Sequence, residues 1–182
     1  MTKSEITKKI AKSGWASLTS KEKDYYYSAT EELAEYSKSS PQGVNEIIYN
    51  EALRCLGRDI SPKENEFACA ESVNSVVMFA LGTPVGGGTS TALMYQALQN
   101  KKRFKKVDEP LRGDIVISPT GYSRFRKPPF RNGHVGIVSD SDKIMSNDSA
   151  TSLWKQNYTL TTWKARYQTK GGYPMDFFRV LN

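Results

Sequence analysis

The chain is short of the side chains that most often carry chemistry: among 182 residues there is one histidine, His134, and there are two cysteines, Cys55 and Cys69. A single histidine and two separated cysteines offer no zinc-ligand spacing, so metal catalysis is disfavoured and neither a metal nor a cofactor is expected. Long apolar runs are also missing. The opening Met1-Thr2-Lys3-Ser4-Glu5-Ile6 has no apolar core of the kind a secretory signal needs, and no later stretch approaches the length of a membrane span. The expectation is a protein made in the cytoplasm without a signal peptide, with no membrane span and with both thiols reduced. The run Gly86-Gly87-Gly88 lacks a following Gly-Lys-Ser or Gly-Lys-Thr and a preceding strand, so it reads as a flexible loop rather than a phosphate cradle. No internal repeat or low-complexity tract is present.

What the chain does have is positive charge. It carries 26 Lys and Arg against 19 Asp and Glu, for a formal charge of +7. Such a surface favours polyanionic partners, whether nucleic acid, anionic membrane or the phosphate-rich polymers of a cell envelope, and charge alone does not choose among them.

Taken in order, Ile6 and Ile10 among lysines suggest a short amphipathic piece that breaks near Gly14. Thr19 and Glu22 have the spacing of a capping box and open a helix expected to reach about Ser37. Residues 1–40 read as a helical N-terminal extension, with Tyr25, Tyr26, Ala29, Leu33 and Tyr36 on the side that docks, and the cluster Ser39-Ser40-Pro41-Gln42-Gly43 bounds it. A second helix is expected from Val44 to Leu56, stopped by Gly57. A third carries Cys69 and ends at Gly82, and a fourth runs from a Ser90 cap to about Gln99. The basic run 101–106 reads as a solvated face. The second half changes period: 114–118, 134–139, 143–147 and 175–181 read as short strands. Helices first and an antiparallel sheet second make an α+β domain over 41–182.

Two stretches carry the chemistry. Phe67-Ala68-Cys69-Ala70-Glu71-Ser72 places a cysteine in the opening turn of a helix, and Gly133-His134-Val135-Gly136-Ile137-Val138 opens a strand on the only histidine. A helix N-terminus lowers a thiol pKa, and a histidine can accept its proton, so the pair fits a nucleophile and a base. The plain alternative for Cys69 is a small buried hydrophobe on a stripe with Val73, Val76, Val77 and Ala80.

The order of Cys69 helix, Gly113-Asp114-Ile115-Val116-Ile117-Ser118, Gly-His-Val-Gly-Ile-Val and Ile144-Met145-Ser146-Asn147-Asp148-Ser149 resembles the NlpC/P60 and CHAP group of papain-like cysteine peptidases and amidases. The likeness covers roughly residues 45–182. It implies a papain-like fold in which the nucleophile-bearing helix packs on an antiparallel sheet. It also implies a peptidoglycan hydrolase that cleaves an amide bond of the wall peptide, of phage-lysis or interbacterial-toxin type. In that group Cys69 would attack, His134 would act as base and then acid, and a polar residue on the next strand, best matched by Asn147, would orient the imidazole. Backbone amides at the helix start would meet the oxyanion. Without a signal such an enzyme needs delivery to periplasmic or extracellular wall, by a holin or another delivery system, and a toxin would have an immunity protein. Anionic wall polymers are possible further partners and nucleic acid is not expected.

Pleat arithmetic sets a condition on the third residue. If the connection after the histidine strand has an even number of residues, Asn147 shares the histidine face; if odd, Ser146 and Asp148 do, with Asp148 the runner-up. The long loop before His134 contributes Tyr122, Arg124, Arg126 and Arg131 as candidate substrate-binding residues, since a guanidinium fork suits carboxylates; a solvated hairpin loop is the alternative. Two other classes stay open: papain-like chemistry on a protein or lipid amide, and a non-enzymatic binder of nucleic acid.

Overall fold

A computed structural model describes residues 6, 9, 19–22, 43–61, 68–125 and 132–181. It is a mixed α+β fold built on a six-stranded antiparallel sheet. Helices α1 (Gly43–Arg54), α2 (Ala68–Leu81) and α3 (Thr91–Leu98) come first, followed by strands β1 (Phe104–Val107), β2 (Ile115–Ser118), β3 (His134–Val138), β4 (Lys143–Asp148) and β5 (Leu153–Thr159). A short helix α4 (Leu160–Trp163) then runs into a π-helical segment, Lys164–Lys170, and strand β6 (Asp176–Val180) closes the chain. The sheet order is β1-β6-β2-β3-β4-β5.

Helix α2 shows why packing rather than propensity decides its fate. Its centre is rich in β-branched residues, each costing up to about 0.7 kcal/mol of helix propensity. Val73, Val76 and Val77 are nevertheless fully buried, and burial of such a side chain contributes about 1.5–3 kcal/mol. The helix lies on one face of the sheet with α1 beside it, and the same core takes in Ile115, Ile117, Val135, Ile137, Met145, Phe178 and Val180. The opposite face is covered by a smaller group, Val116, Val138, Ile144, Trp163, Tyr167 and Tyr173. Alternation along each strand divides the two sets.

Several local signals fold as read. Ser90 caps α3 by accepting from the Leu93 amide. At Thr19 the capping box is reciprocal: the Glu22 amide donates to the threonine hydroxyl and the Thr19 amide to the glutamate carboxylate. The Lys9 ammonium beside Glu22, helped by Thr19, holds that carboxyl down to about 2. Ile6 is fully buried in the main core. The rest of the expected extension, its tyrosines and its boundary cluster at 39–42 lie outside the described residues.

Other features depart from expectation. The run 101–106 is not merely a solvated face: Phe104 is buried between exposed neighbours and starts edge strand β1, which pairs with β6. Strand β5 and the π-helical segment were not foreseen at all. The glycine run is tied down rather than slack, because Asn74 donates to the carbonyls of Gly86 and Gly88 and accepts from the Gly86 amide. At Gly87, with φ +78°, a Cβ would stand 2.2 Å from the Met94 amide nitrogen, so only glycine fits.

Buried polar groups fix the far end of the sheet. Asp114, fully buried, accepts from the Leu111 amide at 2.7 Å and from both Nε and Nη2 of Arg179 at 3.0 and 2.8 Å. Asn45 on α1 also donates to it. The two-pronged guanidinium contact is the geometry that compensates a buried carboxylate.

Candidate active site

Cys69 is the second residue of α2 and is 8 % exposed. It borders a cavity of about 180 Å³ whose other walls are Thr89, Ser90, Thr91, Thr120, Asn132 and Gly133. At about 30 Å³ per water the space equals roughly six waters, enough for a small side chain or an acyl group. The walls are held by short polar links. Thr91 and Thr120 hydroxyls lie 2.8 Å apart, and the Thr120 hydroxyl accepts from the Gly133 amide at 2.8 Å. Gly133 is required here, since a Cβ would stand 2.0 Å from the Ser118 carbonyl oxygen. A larger cavity of about 470 Å³, lined by Asn45, Glu46, Arg112, Asp140 and others, contains no cysteine or histidine. Chemistry, not size, selects the first.

The thiol does not have the electrostatics expected from its place at a helix start. Burial pushes its pKa up to about 11, and the amides of Ala70, Val135 and Cys69 itself, which point at the sulfur, only partly offset that. The helix N-terminus is present, but desolvation outweighs it, so the resting group is the protonated thiol.

His134 opens β3 and its ring lies under the aromatic cover on the face opposite α2. It stacks on Tyr167 at 5.4 Å and 15°, and Trp163 and Tyr158 lie at 5.2 and 5.7 Å between centroids. Burial first, and the Arg166 charge second, push the imidazole pKa down to about 3, with Asp148 opposing. The imidazole is therefore neutral at ordinary pH. No hydrogen bond joins it to the Cys69 thiol; the closest link is the Val135 amide, the residue after His134, which the sulfur meets.

The third residue is corrected. In the β3–β4 hairpin Val138 faces Ile144 and Gly136 faces Ser146, which leaves the odd connection 139–143. Ser146 therefore shares the histidine face, and its Oγ lies 3.0 Å from His134 Nε2. Asn147 points to the other side, where its Oδ1 accepts from Ser72 on α2 at 3.4 Å. It is buried and does not orient the imidazole. Asp148 is committed to the next turn, accepting from the Ala150 and Thr151 amides, and reaches His134 only through its charge. Sequence reasoning missed Asn157, whose Oδ1 accepts from the Ser146 hydroxyl at 2.7 Å.

Of the loop candidates, Tyr122 is exposed and packs edge-on against Tyr95 at 4.9 Å. Arg124 is exposed, sits over the Phe125 ring and is pinned through its amide to the Gly172 carbonyl. Arg126 and Arg131 lie outside the described residues. The two ends of the loop, Thr120 and Asn132–Gly133, line the Cys69 cavity. Cys55 is fully buried in the main core and forms no disulfide. Among the described residues no cluster of three or more His, Cys, Asp or Glu could hold a metal, and no helix is long and apolar enough to cross a membrane. Comparison with protein-family models, with curated proteins and with solved structures gives no match for this chain.

Proposed function

We propose that the chain is a papain-like cysteine hydrolase of the NlpC/P60 type that cleaves an amide bond in the peptide part of peptidoglycan. The observation that carries the reading is the Cys69 thiol at the start of α2, open to a small cavity, with its sulfur against the amide next to His134. The ordered motifs around both residues point the same way, and the net charge of +7 suits an anionic envelope.

In this mechanism a substrate carbonyl enters the cavity and the thiol proton passes to the neutral imidazole as sulfur attacks carbon. The resting thiol at about 11 is a poor nucleophile by itself, so ionisation is coupled to substrate binding. His134 is held on the opposite face of the sheet, stacked on Tyr167 and bonded to Ser146, so in this mechanism the imidazole must leave Ser146 and turn toward the cavity when substrate binds. The amides of Cys69 and Ala70 at the helix start, which meet the sulfur in the resting protein, would receive the oxyanion. The protonated imidazole then supplies the leaving amine, and water hydrolyses the thioester. Arg124 and Tyr122 on the loop beside the cavity bind the stem-peptide carboxylates and backbone.

The test is digestion of purified sacculi by the full chain, with released fragments identified by mass spectrometry. New amine and carboxyl termini from one peptide bond are expected with the wild type, and a loss of at least about a thousandfold with Cys69→Ala, in line with removal of a nucleophile. Unchanged digestion by Cys69→Ala, or no released fragment from wild type, overturns the reading. Cleavage of a protein or lipid amide instead would redirect it to another substrate.

A further inference from the structure

One border of the sheet carries a groove that the hydrolase reading does not use. β1 is the last strand on that side, and no strand among the described residues pairs with its far edge. Along it runs a cavity of about 390 Å³, floored by Leu98 at the end of α3, Phe104, Phe178 and Leu181 and rimmed by Lys101 and Lys105. We propose that this groove docks an acidic, extended segment of a partner protein, which adds a strand to β1 and seats an apolar side chain on the groove floor.

The backbone of β1 is arranged for such a strand. The Leu181 amide donates to the Arg103 carbonyl at 2.8 Å, so Arg103 directs that carbonyl at β6, and by alternation Lys105 and Val107 direct their polar groups the same way. Phe104 and Lys106 therefore direct theirs outward. The Phe104 amide is engaged by the Asn100 carbonyl at 2.9 Å, which leaves the Phe104 carbonyl and both polar groups of Lys106 aimed at the open edge. An added strand supplies the partners that these groups otherwise find in water.

The side chains decide the occupant. Lys105 and Lys106 stand on the strand and Lys101 and Lys102 precede it, all exposed. The Lys106 ammonium is held by Asp176 at 2.8 Å, but no acid among the described residues pairs with Lys101, Lys102 or Lys105. Edge lysines prevent like chains from pairing, and here they exclude a second copy: β1 against β1 would set lysine beside lysine between two molecules of formal charge +7. Keeping copies apart accounts for the charge but not for the apolar floor, where Leu181 remains 38 % exposed. Nucleic acid or a simple polyanion would answer the charge and leave that floor wet.

A protein segment that alternates acidic and apolar residues answers both. Phe104 turns its side chain into the main core, and Lys105, the next residue, points to the other face of the sheet. Along an added strand the apolar side chains then fall on the groove side and the carboxylates beside Lys105. The groove shares no lining residue with the Cys69 cavity, and β6 and β2 stand between β1 and the histidine strand. The proposal therefore stands apart from the hydrolase reading.

The test uses the full chain and a fluorescein-labelled peptide, acetyl-Glu-Val-Glu-Leu-Glu-Val-Glu-amide, followed by anisotropy and by ¹⁵N shifts of the backbone amides. Binding is expected with a Kd of about 10–100 µM, the weak range of a short segment that must be ordered on docking. The Lys106 amide should show one of the largest shifts, because it gains a hydrogen bond. Lys105→Glu, an exposed change that opposes like charges, should weaken binding at least about tenfold. So should N-methylation of the peptide backbone, which leaves the protein untouched and removes the donors of the added strand. A peptide with glycine in place of valine and leucine keeps the charge, loses the anchor and should also bind at least about tenfold more weakly. Absence of binding at about 1 mM peptide, equal binding of the glycine or N-methyl peptide, or an unmoved Lys106 amide overturns the proposal. A Lys106 amide that responds to phosphatidylglycerol vesicles or duplex DNA and not to the peptide overturns it as well, and gives the edge to a lipid or nucleic-acid partner.

Discussion

The two faces of the sheet use the same strands and do different work. The face under α1 and α2 is aliphatic, with Ile115, Ile117, Val135, Ile137 and Met145 meeting the valines of α2. The other face is covered by Trp163, Tyr167 and Tyr173 and holds polar groups among them: His134, Ser118 and Ser146 are all buried there. An aliphatic layer needs only volume and shape, whereas an aromatic layer with indole and phenol handles can satisfy hydroxyls and an imidazole while excluding water. The cysteine belongs to the first face and the histidine to the second. They approach only at the start of β3, where the sulfur reaches the Val135 amide.

The sharpest way to separate the faces is to remove one large residue from each. Trp163 is fully buried and bonded to Ser118, so Trp163→Ala should destabilise by about 3–5 kcal/mol in chemical denaturation. Ile137→Ala on the other face should cost about 2–5 kcal/mol. Only the tryptophan change should also raise the His134 pKa toward its ordinary value, because it admits water beside the ring. An unmoved histidine titration in Trp163→Ala would mean that the aromatic cover does not set its environment.

Acid should act on the histidine face. The folded His134 pKa of about 3 lies below its ordinary value of 6.5, so the unfolded chain binds the extra proton first. Stability from this group is whole above 6.5 and is lost as pH falls from there toward 3, at up to about 1.4 kcal/mol per unit. Carboxylates held low, such as Asp140 and Asp148, weaken the fold in the same direction. The contribution of His134 is therefore read as the difference between wild type and His134→Gln in urea midpoints at pH 7 and pH 4. If both proteins lose the same stability, burial of the neutral ring is not the source.

How much of this was legible beforehand differs between the faces. The α2 stripe of Val73, Val76 and Val77 and the alternation of Val135 and Ile137 are strong periodic signals, and the aliphatic face follows from them. Cys69 at the helix start and His134 at the strand start were legible for the same reason. Ser146 was half legible: parity named it for an odd connection, but nothing in Ser139-Asp140-Ser141-Asp142-Lys143 fixed the count before Val138 was seen opposite Ile144. Asn157 was not legible, because a bulge in β5 has no marker among Lys155, Gln156 and Asn157. The Cys69 pKa was misread in direction: helix position is visible in sequence, while the desolvation that outweighs it depends on the chain packed around the thiol.

That last correction leads to the finest test of the contrast, the two thiols. Cys55 is fully buried in the aliphatic core, and Cys69 is 8 % exposed beside a cavity. Iodoacetamide should therefore label Cys69 first, with Cys55 following only on unfolding. A thiol at about 11 rather than 9.0 holds roughly a hundredfold less thiolate at pH 8 than an unperturbed one, so labelling of Cys69 should be slow by about that factor against a small-molecule thiol of pKa 9.0. The rate should climb about tenfold per pH unit between 8 and 10 without a plateau, since the titration midpoint lies higher. His134→Ala should leave that slope unaltered in the resting protein, because the thiol makes its contacts with amides and not with the imidazole, even though it should abolish turnover of sacculi. A plateau near pH 7, or labelling that collapses when the imidazole is removed, would show that the resting pair is already an ion pair and that the two faces are coupled before substrate arrives.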